Sequence, residues 1–215
     1  MSIKGIIYSP MRVGLVATSR SGSTLFRSYA CNMLGLLDSG SWLKHNSYSD
    51  IESQNFARDT HLLKVLPHYI SDSPEEVHEV TKNFTSIWLH REDIVAQFLS
   101  HVARLRTGVN HVYKAEDRPQ IQNVSLEATR EEFDKFKAKL DCFWNLYRNY
   151  HQGEPLISLE YFLANPSDNL AKLSNFFNIN SNQVVRVPVP IELGIKYDDK
   201  FKNYDEIVEW FRNYE

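Results

Sequence analysis

Residues 18 to 25 read TSRSGSTL, directly after the apolar run VGLVA at Val13 to Ala17. A strand that ends in a turn of small residues and opens a helix leaves backbone N–H groups unpaired, and it aims the positive end of the helix dipole at whatever lies beyond. An anion is the natural occupant, phosphate above all. Gly22 lets the backbone approach closely, Ser19, Ser21, Ser23 and Thr24 add hydroxyl groups, and Arg20 adds a fixed positive fork. The plainer alternative is an ordinary helix start capped by serine. The nucleotide triphosphate loop G-x-x-x-x-G-K-[ST] does not describe the stretch, because it needs a lysine after the glycine to reach the terminal phosphates. Here Ser23-Thr24 follows Gly22, and the basic residue stands ahead of it at Arg20.

The elements that must position this turn are legible on either side. Val13 to Thr18 is continuously apolar up to its last residue rather than alternating, which suits a strand covered on both faces. Leu25, Phe26, Tyr29, Ala30, Met33 and Leu34 recur at helical spacing, with Gly35 as a stop. HLLKVL (His61 to Leu66) ends at Pro67, and TSIWL (Thr85 to Leu89) runs into His90-Arg91-Glu92-Asp93, so each reads as a short buried strand. Asp93 or Glu92 is placed to cap a helix whose stripe is Ile94, Phe98, Val102 and Leu105, ending at Thr107-Gly108.

Residues 107 to 124 are polar and contain Pro119, the composition of a long loop that acts as a lid or binding segment. Ser125 offers an N-cap for a long helix whose Phe133, Phe136, Leu140, Phe143, Trp144 and Tyr147 keep a three-four spacing, a core stripe rather than a stacking platform. Pro155 to Leu159 reads as a strand, Pro166 to Phe177 as a helix and Tyr204 to Arg212 as a last short helix. The alternation predicts an α/β fold: a parallel, doubly wound sheet in a P-loop-like three-layer sandwich.

Composition bounds the partners. A chain of 215 residues with 42% hydrophobic content fits a single domain over residues 1–215. The net charge of -3 gives no basic footprint for nucleic acid. The apolar runs fall far short of the roughly 20 residues that span a bilayer, and the N-terminus lacks a signal-like apolar core, so a soluble cytoplasmic protein is expected. Cys31 and Cys142 are too few for a disulfide framework or a metal cage, and both are expected as buried reduced thiols.

With its basic residue before Ser-Gly and hydroxyl residues after, the turn at Ser19 to Thr24 resembles the 5′-phosphosulfate loop of sulfotransferases that use 3′-phosphoadenosine 5′-phosphosulfate (PAPS). Leu89 to Ser100, LHREDIVAQFLS, is similar to the segment with which that family binds the cofactor's 3′-phosphate, through an arginine at a strand end and a serine on the next helix. Within it the resemblance is nearest to bacterial carbohydrate sulfotransferases of the trehalose-sulfating type, which carry R-x-D…Q-x-x-S followed by A…TG, here reaching Ala103 to Gly108. Leu159 to Pro166 is similar to the strand-end segment before that family's penultimate helix. The resemblance implies PAPS as cofactor with no metal, Ser19, Arg20, Ser21, Gly22, Ser23 and Thr24 around its 5′ end, and Arg91 on its 3′-phosphate. In animal cytosolic members the serine lies eight residues after the arginine. That position is Leu99 here, with Ser100 beside it and Gln97 one turn earlier, so Gln97 and Ser100 are both candidates.

Sulfuryl transfer resembles phosphoryl transfer in needing in-line positioning and neutralised charge on the leaving oxygen, a task that suits Arg20. A general base beside the acceptor hydroxyl would add on the order of 100- to 10,000-fold. In the bacterial relatives a glutamate soon after the first helix is that base, but Ser39 to Asn46 has no Glu or Asp after Gly40, and none follows until Asp50. His45 is the nearest candidate by position. In the cytosolic relatives a histidine at the end of the strand after the first crossover does the work, and Lys64-Val65-Leu66-Pro67-His68 is loosely similar to that K-T-H-L-P segment, which makes His68 the second candidate. Lys64 either orients the sulfuryl group or snorkels from its strand end. The expected acceptor is a hydroxyl of a carbohydrate or small molecule. A magnesium-dependent nucleotide kinase or NTPase is the alternative enzyme, and a nucleotide-binding scaffold without a base the alternative outside catalysis.

Overall fold

Arg12–Ala17 (β1) takes parallel neighbours on both edges, which explains why its run is apolar without alternation. The computed structural model describes residues 12–34, 36–38, 61–108, 125–178, 197–212 and 214. Around β1 stand Leu37–Asp38 (β2), His61–Val65 (β3), Thr85–His90 (β4) and Leu156–Ser158 (β5), in the all-parallel order β2-β3-β1-β4-β5. Leu15 pairs with Lys64 on one side and with Ile87 on the other, so the carboxyl ends of β1, β3 and β4 finish at one edge of the sheet. The chain goes from β1 to β3 on one side and then crosses to β4 on the other. That reversal places a crevice at the end of β1, where open α/β sheets bind ligands.

The helices are Ser23–Leu34 (α1), Pro74–Thr81 (α2), Ile94–Thr107 (α3), Arg130–Tyr150 (α4), Leu159–Ala164 (α5), Pro166–Phe177 (α6) and Tyr204–Arg212 (α7), and a 3₁₀ turn runs over Pro67–Tyr69. Successive β1 side chains divide them into two layers. Val13, Leu15 and Ala17 pack with Phe26, Ala30 and Leu34 of α1, Phe162 of α5, and Leu170, Leu173 and Phe177 of α6. Val16 packs on the opposite face with Val65, Trp88, Val77 of α2, and Phe143 and Leu146 of α4. The result is the doubly wound three-layer sandwich expected from the alternation of elements. A further cluster joins Phe98 of α3, Phe133 and Phe136 of α4, and Ile207, Trp210 and Phe211 of α7, outboard of the sheet.

Three local expectations are corrected, and one helix is new. The long helix starts at Arg130 under a Thr129–Glu132 capping box, not under Ser125. The cause is tertiary: Leu126 donates to the Lys200 carbonyl (2.7 Å) and accepts from the Lys202 N–H (2.9 Å), which holds residue 126 extended against Phe201. The strand expected over residues 155 to 159 is only Leu156–Ser158, because Ser158 Oγ accepts the Tyr161 N–H (3.0 Å) and starts α5 at Leu159. Helix α2, capped by Ser73, was not anticipated, since eight residues with one apolar stripe give a weak period. Cys142 is buried, and burial raises its thiol pKa, whereas Cys31 is only half-buried on the flank of α1. Of the expected loop, residues 109–124 lie outside the described residues. Among the described residues no helix is long and apolar enough to cross a membrane.

Candidate active site

The chain leaves β1 at Thr18 and enters α1 at Ser23 through four residues, two of them with positive φ and one of those, Arg20, strained. Arg20 has φ 64 and Gly22 φ 77, both in the left-handed region, which only glycine adopts without penalty. Gly22 is required twice over, because a Cβ there would sit 2.5 Å from Leu159 Cδ1 at the start of α5. Ser21 is fully buried and donates its hydroxyl to the Thr18 carbonyl (2.9 Å), while the Phe26 N–H donates to the Gly22 carbonyl (3.0 Å) and closes the first helical turn. That turn carries Ser23, buried, and Thr24, half-buried, with no acidic side chain in it, so no carboxylate of its own competes for the helix N-terminus.

Helix α3 braces this loop. Asp93 Oδ1 accepts the Ala96 N–H (2.8 Å) as its N-cap, and Gly108 closes it in the left-handed conformation. Gln97, buried on the inner face, donates its amide to Thr18 Oγ1 and to the Ser19 carbonyl, both at 2.7 Å. One turn on, Ser100 Oγ accepts from Arg20 Nε at 2.8 Å. The two candidates for 3′-phosphate contacts thus both engage the loop after β1. An arginine at φ > 0 whose guanidinium is also tied down by a hydrogen bond is preorganised.

His68, on the 3₁₀ turn after β3, lies with Nε2 3.1 Å from Ser19 Oγ. Burial first, then the basic groups Lys139, His101, Lys64 and Arg104, push its pKa from 6.5 down to about 4, so the ring is neutral at physiological pH. In the tautomer that donates Nε2–H to Ser19, Nδ1 carries a lone pair able to take a proton. Lys64 is half-buried on β3, one residue before the strand ends at Val65. His45, the other candidate base, lies outside the described residues.

Arg91 directly follows β4 and is half-buried beside Glu160 of α5, with Nε 3.5 Å from Oε1. That contact lacks hydrogen-bond geometry: Arg91 Nε is buried with no hydrogen-bond partner among the described residues. Glu160 instead accepts the backbone N–H groups of Glu92 (2.9 Å) and Asp93 (3.4 Å). The carboxylate fixes the β4–α3 corner and holds the arginine there by charge. Glu160 falls in the quoted Leu159 to Pro166 segment, but no local pattern pairs it with residue 91. His101, Arg104 and Lys139 were also missed, although Gln97, His101 and Arg104 follow one helical face at i, i+4 and i+7. Among the described residues no three His, Cys, Asp or Glu side chains converge as metal ligands.

No protein-family model matches the chain, and no curated protein matches it by sequence. Solved structures do match in shape. The crystal structure of a sulfotransferase from Alicyclobacillus acidocaldarius superposes with a TM-score of 0.56 at 8% identity, covering 96% of this chain and 93% of that one. The sulfotransferase domain from the curacin biosynthetic pathway gives 0.51 at 13% identity, over 94% of this chain and 98% of that one. The sulfotransferase domain from the Synechococcus PCC 7002 olefin synthase gives 0.51 at 14% identity, over 99% and 91%. With the β2-β3-β1-β4-β5 parallel sheet and the loop at its switch point, these likenesses establish one thing: the chain has the α/β fold of sulfotransferases.

Proposed function

We propose that this chain is a PAPS-dependent sulfotransferase that moves a sulfuryl group to a hydroxyl of a small-molecule or carbohydrate acceptor. The observation that carries the proposal is the loop after β1, strained at Arg20, tied to α3 through Arg20–Ser100 and to the 3₁₀ turn after β3 through Ser19–His68. Strain of this kind persists only where the surroundings over-determine it, and such sites cluster where ligands bind. The donors present fit a nucleotide with two separated anionic groups. The first turn of α1 and Arg20 face one end, and Arg91, whose buried Nε has no hydrogen-bond partner among the described residues, suits the other.

When bound, PAPS supplies a sulfuryl group on a phosphate leaving group. The chain's own contribution is positional and electrostatic. Arg20 is held where negative charge on the leaving oxygen would grow. The first-turn N–H groups of α1 would hold the adjoining phosphate, which Gly22 would let approach them. His68, neutral because it is buried among cations, takes the acceptor's hydroxyl proton, with His45 as the other candidate base. Lys64 either orients the sulfuryl group or only snorkels from β3.

The test is ligand discrimination in EDTA. 3′-Phosphoadenosine 5′-phosphate (PAP) should raise the melting temperature without a metal, and AMP should do so far less. Stabilisation by ATP only when magnesium is present, with indifference to the 3′-phosphate, would replace the proposal with a nucleotide kinase. Binding of PAP without turnover of labelled PAPS over a broad acceptor panel would leave a nucleotide-binding scaffold.

A further inference from the structure

Beside the loop after β1 lies a group of basic side chains drawn from three separate elements. His101 of α3 follows Ser100, the residue that holds Arg20, and Arg104 comes less than one turn later on the same helix. Lys139 belongs to α4, less than one turn beyond Phe136, whose ring lies 5.7 Å from the His101 ring. His68 closes the group from the 3₁₀ turn, with Nε2 against Ser19. His101, Arg104, Lys139 and His68 are all buried or half-buried.

Among the described residues, Lys139, Lys64 and Arg104 act on His68 as cations, and His101 would add to them if its ring were protonated. His101 feels Lys139, Arg104 and Arg20, opposed only by Glu132, and its pKa is likewise pushed down to about 4, by burial first. Glu132 is itself engaged, at 2.7 Å with Arg106 and in the α4 capping box. Asp72, the carboxylate that acts on Lys139, is exposed. His101 is only 8% exposed, and its Nδ1 is buried with no hydrogen-bond partner among the described residues. The chain as a whole carries a net charge of -3, so this concentration of positive charge is local rather than compositional. Lys139 and Arg104 are the cations of this group, each half-buried beside two imidazoles held neutral, and an anion seated among them offsets their mutual repulsion and their lost hydration.

We propose that the acceptor carries an anionic group, a phosphate, sulfate or carboxylate, seated among His101, Arg104 and Lys139 while its hydroxyl lies beside His68. The inference rests on the sulfotransferase reading and narrows its acceptor class. It also gives the proton transfer a physical switch. Burial first, and the neighbouring cations second, keep His68 a poor base, and an anionic acceptor offsets the second of these on arrival.

The test uses the full chain saturated with PAP, so that the cofactor's phosphate sites are filled, and follows the His68 and His101 rings by NMR across pH. Millimolar inorganic phosphate should raise both titration midpoints by about one unit relative to chloride at equal ionic strength. Lys139→Gln and Arg104→Gln should each weaken phosphate about tenfold while moving PAP affinity by less than roughly twofold. If phosphate and chloride leave the midpoints alike in the PAP complex, the proposal is wrong. It is equally overturned if PAP alone produces the whole rise and the two variants lose PAP instead, because the cations then serve the donor nucleotide. Failure of the native chain to bind PAP at all would strike the sulfotransferase reading, and the acceptor class would fall with it.

Discussion

Arg20 Nε donates to Ser100 Oγ over 2.8 Å, joining the loop after β1 to a helix eighty residues further along the chain. Ser100 therefore acts on chemistry through Arg20. Because charge on the leaving oxygen grows toward the transition state, Arg20→Ala should lower turnover more than PAP affinity. Ser100→Ala should lower kcat about tenfold in the native background and hardly at all on top of Arg20→Ala. Additive losses in that double-mutant cycle would show that the two side chains work independently.

Gly22 is held in the left-handed region with Leu159 against it. Gly22→Ala adds backbone strain and an overlap, each costing about 1–2 kcal/mol or more, so a total of about 2–4 kcal/mol should appear in urea unfolding. Adding Leu159→Ala should return the overlap part of that loss and leave the backbone part. A Gly22→Ala protein as stable as the native chain would contradict the loop conformation.

Arg91 and its corner residue Glu160 give a nucleotide-binding prediction. Losing one partner of a partly buried charge-assisted pair costs about 2–5 kcal/mol, so Arg91→Ala should weaken PAP roughly 30-fold or more while hardly touching AMP. Isothermal titration in EDTA reads both. Equal losses for the two ligands would move Arg91 away from the 3′-phosphate.

The base is tested by a pair of variants. His68→Ala should cut kcat on the order of 100- to 10,000-fold with PAP affinity nearly intact, whereas His45→Ala should behave like the native enzyme. The opposite pattern would give the role to His45.

Stability should also depend on pH through His68 and His101, whose folded pKa values are lowered from 6.5 to about 4 by burial and then by Lys139. Between those values the unfolded chain takes up protons that the folded chain refuses. Their contribution is therefore complete above about pH 6.5 and disappears as the pH falls toward 4. Denaturation midpoints at about pH 7 and about pH 5 should differ less in His68→Gln/His101→Gln than in the native chain. Parallel pH dependence in the two proteins would show that neither ring is held neutral.

What the sequence determined by itself was local in its physics. The apolar run at Val13 to Ala17, the small residues at 18 to 24 and the helical period after them specify strand, loop and helix, because sterics, unpaired N–H groups and burial act within a few residues. The alternation of such units implied a parallel sheet with two helical layers, and cap chemistry alone bounded α3 between Glu92 or Asp93 and Gly108, the structure choosing Asp93. Tertiary structure decided which side chains meet. Strand order sets β1 between β3 and β4, and only that order brings His68 to Ser19 and Ser100 to Arg20. Leu159 above Gly22, Glu160 beside Arg91 and Lys139 among the cations likewise depend on elements separated by dozens of residues. Such contacts leave no period or spacing in the sequence, because they arise from the relative placement of whole elements. The same cause moved the start of α4 from Ser125 to Thr129: a backbone pairing between Leu126 and Phe201 overrode a local capping signal.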